Sequence, residues 1–320
     1  MLIYDPIPIK EIIEANERIA NDVMRTPLVP FYMETEAKIY LKLENLHPIK
    51  SFKLRAACNA VKLIDREKLK EGIWTISAGN WAQGLAWISR KMGIKCTILV
   101  PDDIPEIKEN AIKQLDAKLI KLPLEEGLKI LFTREYKDMK GYFIHPFSDT
   151  NVMAGNGTIA LEILKDLPKV DTILIPWGGG GLACGIASAI RALKPKTKIF
   201  AVEVDTCSPL YDSMNKGEIP LKFQHTNSYI DGIGYPFLLP EMFDLAKKLL
   251  NGSIIVSVKE ITKTLRLLMR KNSIITEGAG AASVAAALYE KAGKGKIACI
   301  VSGGNIDTLK LVKILDGFEP

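Results

Sequence analysis

With 320 residues, 48% apolar and 25% charged, the chain has the balance of an ordinary globular protein, with room for one large core or two modest ones. Its 43 basic and 37 acidic residues leave a net charge of +6 spread along the whole length, with no basic stripe interleaved with aromatics, which argues against a nucleic-acid partner. The five cysteines form no C-x-x-C pair, the three histidines stand far apart, and no apolar run approaches membrane-spanning length; a disulfide framework, a His-based metal centre and a membrane partner are therefore not expected.

Met1-Leu-Ile-Tyr-Asp-Pro6 has no basic region followed by an apolar core, so no secretory leader is expected and the cytoplasm is the default location. Pro8 opens an amphipathic helix with Ile9, Ile12, Ile13 and Ile19 on one face, stopped by Thr26-Pro27 and Pro30. Residues 38–44 alternate and predict a half-exposed strand. A loop with Pro48 leads into a helix that begins at Ser51-Phe-Lys53. From Gly72 to Pro146 strands at 73–76, 96–100, 119–120 and 142–144 alternate with helices at 82–92, after Pro105 and at 127–137. That βαβαβαβ rhythm suits a small parallel sheet of its own. A helix over 152–164 leads to a buried strand at 172–176, a glycine run and an Ala-rich helix with Leu182, Ile186, Ile190 and Leu193 at helical spacing. A strand follows at 199–204; 209–240 reads as loop with short helices. Then come a strand at 254–258, helices at 261–268 and 279–289, a strand at 297–301 and a last helix. The expected class is α/β with two domains, 1–71 with 148–320 and an inserted 72–147, and ligands in the cleft at the strand C-terminal ends.

Four stretches could carry chemistry. Gly178, Gly179, Gly180 and Gly181 sit where a strand ends and a helix begins, so backbone N–H groups and the helix N-terminus can meet a phosphate; the spacing is not G-x-G-x-x-G, so a dinucleotide is not specified. Lys53 lies at a helix N-terminus, where the dipole disfavours a second positive charge; it is either an imine-forming nucleophile or a solvated surface lysine. Ser77-Ala-Gly-Asn-Trp-Ala-Gln-Gly84 opens a helix after a strand and reads either as a carboxylate-binding turn or as a plain N-cap. Ser302-Gly-Gly-Asn305 ends a buried strand and offers an uncharged hydroxyl, or simply makes a turn. Glu277 is a first-turn helix acid or a buried carboxylate near a site.

Together, Ser51-Phe-Lys53, Ser77-Ala-Gly-Asn80, Gly178-Gly-Gly-Gly-Leu182 and Ser302-Gly-Gly-Asn-Ile-Asp307 resemble, in order, the motifs of fold-type-II pyridoxal-phosphate enzymes, the tryptophan synthase β-subunit-like fold. The resemblance is strongest to the serine/threonine dehydratases and serine racemases. Lys42-Leu-Glu-Asn-Leu46, His145-Pro-Phe147 and Gly155-Asn-Gly-Thr-Ile-Ala-Leu-Glu162 extend it over nearly the whole chain. It implies pyridoxal 5'-phosphate held on Lys53 as a Schiff base, with Lys53 later acting on the substrate Cα proton. It also implies Phe52 against the ring, Asn80 at the 3-hydroxyl, Gly178 to Gly181 with Leu182 at the phosphate, and Ser302 at the pyridine nitrogen. Ser77, Ala78, Gly79 and Trp81 would face a small amino-acid substrate. A homodimer is implied on the same basis.

Racemases of this group carry serine where this chain has Ala78, which has no proton to return, so the resemblance favours dehydration. Trp81 replaces the usual histidine and brings bulk and one N–H donor to the substrate side, and Lys50 adds a charge near Lys53. Metal-binding members carry paired acids after the strand at 199–204; here Glu203 is followed by Asp205 without the second carboxylate at the usual spacing, so no metal is expected. The expected activity is β-elimination from a small β-hydroxy amino acid to a 2-oxo acid and ammonia. Racemisation, β-replacement, and non-catalytic amino-acid binding are the alternatives; an NAD-binding protein rests on the glycines alone.

Overall fold

In the computed structural model, which describes residues 4–320, the strands gather into one sheet of six and one of four. Met1 to Ile3, where the reading of the N-terminus begins, lie outside the described residues. Helix α1 (Ile9–Ile19) buries Ile12, Ala15 and Ile19, an i, i+3, i+7 stripe. Ile13, expected on that face, lies one residue round the helix and is 44% exposed. Strand β1 (Leu28–Pro30), hidden between prolines in the sequence, pairs antiparallel with β2 (Lys38–Leu43). It ends the sheet, where a proline costs no ladder bond. The half-exposed reading of β2 fails at Lys42, which is fully buried.

Next come α2 (Lys53–Lys62) and the short α3 (Arg66–Leu69), then β3 (Ile73–Ile76), α4 (Asn80–Met92), β4 (Cys96–Pro101) and α5 (Glu106–Lys113). β5 (Lys118–Leu122), α6 (Leu124–Thr133) and β6 (Tyr142–Phe143) complete the small sheet, which is parallel throughout in the order β5-β4-β3-β6. Ile73, Ile98 and Val100 face the α4 side; Trp74, Ile76 and Leu99 face α6. Helix α6 stops short of its expected end at 137 because Arg134 turns left-handed (φ 62°).

The chain continues through α7 (Thr150–Asp166), β7 (Thr172–Pro176), α8 (Gly181–Leu193), β8 (Lys198–Val204), α9 (Pro209–Lys216) and α10 (Pro240–Leu249). β9 (Gly252–Val256), α11 (Val258–Asn272), α12 (Gly278–Leu288), β10 (Lys296–Val301) and α13 (Thr308–Asp316) close it. The large sheet runs β1-β2-β10-β7-β8-β9. Along β7 successive residues serve opposite cores: Ile173 and Ile175 pack with α7, α8 and α10, Leu174 with α11 and α12. β9 ends two residues before expected because Ser257 and Glu260 form a capping box that starts α11. All five cysteines are free and buried.

A buried ionic cluster fixes α2 to the rest. Arg55 Nε and Nη2 donate to the two Glu44 oxygens at 2.7 and 3.0 Å, and Nη1 and Nη2 to those of Glu162 on α7 at 2.7 and 2.9 Å. Lys42 Nζ pairs with Glu162 and donates to the Thr26 carbonyl, and Thr26 and His47 complete the shell of Glu44. Burial alone would raise the Glu44 carboxyl; the Arg55 guanidinium and His47 outweigh it and hold the group well below its ordinary range. Two carboxylates against two cations leave the cluster balanced, which is what makes its burial tolerable.

Candidate active site

The carboxyl ends of β3, β7 and β10 and the start of α2 converge on one cavity of about 400 Å³. Its position between the parallel small sheet and the mostly parallel large one, at their strand ends, is where such folds bind ligands. The cavity brings together Phe52, Lys53, Ser77, Ala78, Gly79, Asn80, Trp81, Gly178, Gly179, Gly180, Gly181, Leu182 and Ser302, every site residue expected from the sequence.

Lys53 reaches the cavity because the chain before it is stitched to the end of β10. Phe52 N donates to Ser302 O at 3.0 Å, Gly304 N donates to Lys50 O at 2.8 Å, and Ser51 bridges Gly303. Lys50, expected to add a charge near Lys53, takes a left-handed turn (φ 54°) with an exposed side chain and does not line the cavity. Helix α4 packs against the start of α2 through Gly84, where a Cβ would come 3.1 Å from Lys53 O. Lys53 Nζ donates to Pro146 O at 2.8 Å and lies 5.2 and 5.4 Å from the Phe52 and Trp81 ring centroids. Burial, with no charged neighbour contributing, pushes its amine down to about 7. The direction is the one expected from the sequence, and burial is a cause the sequence did not show. Behind Pro146, His145 accepts from Ser148 N at 2.8 Å, and burial pushes it down to about 3, so it stays neutral.

The glycine run is dictated by close approach. A Cβ on Gly178 would lie 2.4 Å from Gly232 O, one on Gly179 2.3 Å from the Phe147 ring, and one on Gly181 2.7 Å from Phe147 O. Gly180 has φ +91° and would strike Trp177 at 2.5 Å. Gly180 is the N-cap of α8 and no side chain caps that helix, so the first-turn N–H groups, which have no intrahelical partner, remain available at the cavity wall.

On the small-sheet side, Ser77 Oγ accepts from Gly79 N at 3.2 Å, and beyond Gly79 a Cβ would meet open space. Asn80 is tied across the cleft: Nδ2 donates to Glu277 Oε1 and Oδ1 accepts from Asn305 Nδ2, both at 2.7 Å. Glu277 is the buried carboxylate of the two readings, pushed by burial up to about 8. Trp81 departs from expectation. Its Nε1 donates to Thr75 Oγ1 at 2.8 Å, behind the cavity wall, so it shows the cavity an indole surface and no donor.

Glu203 and Asp205, weighed for a cation, hold backbone. Glu203 accepts from Leu210 N, Tyr211 N and Ser253 Oγ at 2.9, 2.7 and 2.6 Å, and burial pushes it up to about 7; Asp205 accepts from Val258 N at 3.1 Å. Several cavity residues escaped the sequence reading. Lys108 on α5 pairs with Asp231 at 3.1 Å across the cleft. Phe147, Tyr235 and Phe237 stack in series, with Leu124, Leu128 and Leu131 of α6 in the same wall. Phe147 belongs to the His145-Pro-Phe147 motif, whereas the only local signal for Tyr235 and Phe237 was their spacing around Pro236 inside an otherwise unreadable segment.

The profile of the family described as pyridoxal-phosphate dependent enzyme matches residues 19–303. The chain is 35% identical to an L-threonine ammonia-lyase of Thermotoga maritima, over 97% of this chain and 78% of the relative. It is also 35% identical to a catabolic L-threonine dehydratase of Staphylococcus aureus, over 97% and 92%. Its fold superposes on maize serine racemase with a TM-score of 0.88 at 29% identity, covering 97% of each chain.

Proposed function

The chain belongs to the pyridoxal-phosphate-dependent enzymes, and on that premise we propose that it is an ammonia-lyase. It converts a small β-hydroxy amino acid, of the L-threonine or L-serine type, to a 2-oxo acid and ammonia. One observation carries the reading: Lys53, the cavity lysine without a carboxylate partner, shares the cavity with a helix N-terminus that no side chain caps. Those features fit the cofactor's two ends, an aldehyde that needs a neutral amine and a phosphate that needs N–H donors.

Lys53 Nζ would tether the cofactor, Gly178 to Gly181 and Leu182 would hold its phosphate, Phe52 and Asn80 its ring, and Ser302 its nitrogen. When bound, pyridoxal phosphate withdraws electrons from the amino acid and so acidifies its Cα–H. Everything else falls to the chain. Ser302 brings a hydroxyl without charge, so it does not enforce protonation of the ring nitrogen; this favours prompt loss of the β-hydroxyl. Lys53 Nζ, lowered by burial to about 7, would be the base for the Cα proton. The turn Ser77 to Asn80, with Gly79 open to the cavity, would receive the substrate carboxylate, and Trp81 would limit space beside it. Ala78 has no side-chain proton to deliver, which supports elimination over racemisation.

The reading includes a small unit at 72–147 on a larger one at 1–71 and 148–320, supported by the two separate sheets. It also includes a cytoplasmic homodimer, supported by the resemblance; among the described residues no helix is long and apolar enough to cross a membrane. A 2-oxo-acid assay tests the activity. L-threonine or L-serine should yield 2-oxo acid and ammonia in equal amounts, with no D-serine by chiral analysis. D-serine without oxo acid would mean racemisation; cofactor uptake without turnover would favour a binding protein.

A further inference from the structure

Hydrogen bonds from the surrounding chain dictate the orientation of the Asn80 carboxamide. The Ile49 carbonyl can only accept, and Asn305 Nδ2 donates to it at 2.9 Å. The other Asn305 Nδ2 hydrogen goes to Asn80 Oδ1 at 2.7 Å, so that oxygen cannot be turned toward the cavity. Asn80 Nδ2 then meets Glu277 Oε1 at 2.7 Å, and Glu277 Oε2 accepts from Asn305 N at 3.2 Å. One Nδ2 hydrogen of Asn80 is left for the cavity that Asn80 lines. Gly303 makes room for the arrangement: a Cβ there would lie 2.5 Å from Glu277 Oε1 and 3.1 Å from Asn80 Nδ2.

We propose that Glu277 is a positioning residue that, with Asn305, locks Asn80 as a hydrogen-bond donor toward the oxygen on the cofactor ring. The proposal rests on the reading of the cavity as a pyridoxal-phosphate site. Glu277 touches no part of the ring in this role; it acts through Asn80. The lock also joins the small sheet, which leads into Asn80, to the large one, which leads into Asn305, so the donor is in place only when the two are docked.

The test is a double-mutant cycle on cofactor affinity, with pyridoxal phosphate titrated into cofactor-free protein and its visible absorption recorded. Glu277→Gln puts an amino group against either Asn80 Nδ2 or Asn305 N, donor facing donor. It should weaken binding about tenfold and move the visible band, as Asn80→Ala should. The pair Glu277→Gln/Asn80→Ala should bind no more weakly than Asn80→Ala alone. Asn305→Ala, which releases the lock from its other end, should behave in the same way if the Glu277 variant does not fold. Losses that multiply in the double variant, or a Glu277 variant with wild-type affinity and spectrum, overturn the proposal while leaving the functional reading intact. Wild-type protein that takes up no cofactor overturns both.

Discussion

Lowering the pH should switch off cofactor loading at a point set by burial. Lys53 must be a free amine to attack an aldehyde, and burial pushes it down to about 7. The sign follows directly: the amine is free above that value and protonated below it. Its free fraction is nearly complete at about pH 8.5 and roughly 3% at about pH 5.5, a fall of roughly 30-fold. An ordinary lysine, near 10.4, would fall roughly 1000-fold over the same range and show no plateau until above about pH 10. The assay is the initial rate of imine absorbance when pyridoxal phosphate is mixed with cofactor-free protein, divided by the rate constant of a free lysine derivative expressed per mole of its free-base form, which removes the reagent's own titration and leaves that of Lys53. The corrected profile should bend near neutrality and level off on the alkaline side. A rate still climbing in proportion to hydroxide at pH 9 would refute the assignment of Lys53 as a buried neutral amine.

Gly179→Ala drives a Cβ to 2.3 Å from the Phe147 ring and should cost about 1–3 kcal/mol or more in denaturant unfolding, whereas Gly79→Ala, with open space beyond its Cβ, should leave the unfolding midpoint unchanged. Arg55→Ala strands Glu44 and Glu162 in the interior and should destabilise by roughly 3–5 kcal/mol, read as a lowered urea midpoint. Trp81→Phe removes the hydrogen bond to Thr75 and should cost about 1 kcal/mol in thermal unfolding. Because that N–H faces away from the cavity, kcat should stay within a few-fold of wild type; a large drop would mean that the indole donor acts on the substrate.

What was legible in the chain was what is local. The strands at Ile73–Ile76 and Thr172–Pro176 are short apolar runs bounded by glycine or by glycine and proline, and both appear with those bounds. The four glycines and Lys53 read as parts of one ligand site because their chemistry depends on neighbours in sequence, and they line one cavity. What was not legible depends on distance. Lys42 reads as the exposed position of an alternating strand, yet its partner Glu162 is 120 residues away. Trp81 reads as a donor to the cavity until Thr75 is seen to take its N–H. Helix α10 carries its own signal, Pro240 at the first position, but it closes a proline- and glycine-broken stretch that has no period. The same stretch hid Asp231, whose partner Lys108 comes from the other sheet's helices.

The central claim is that Lys53 carries the cofactor. Protein incubated with pyridoxal phosphate should turn yellow, lose the colour on borohydride reduction, and, after proteolysis and mass mapping, carry one reduced cofactor on the peptide containing Lys53. A reduced protein with no adduct, or with the adduct on another lysine, would contradict the account.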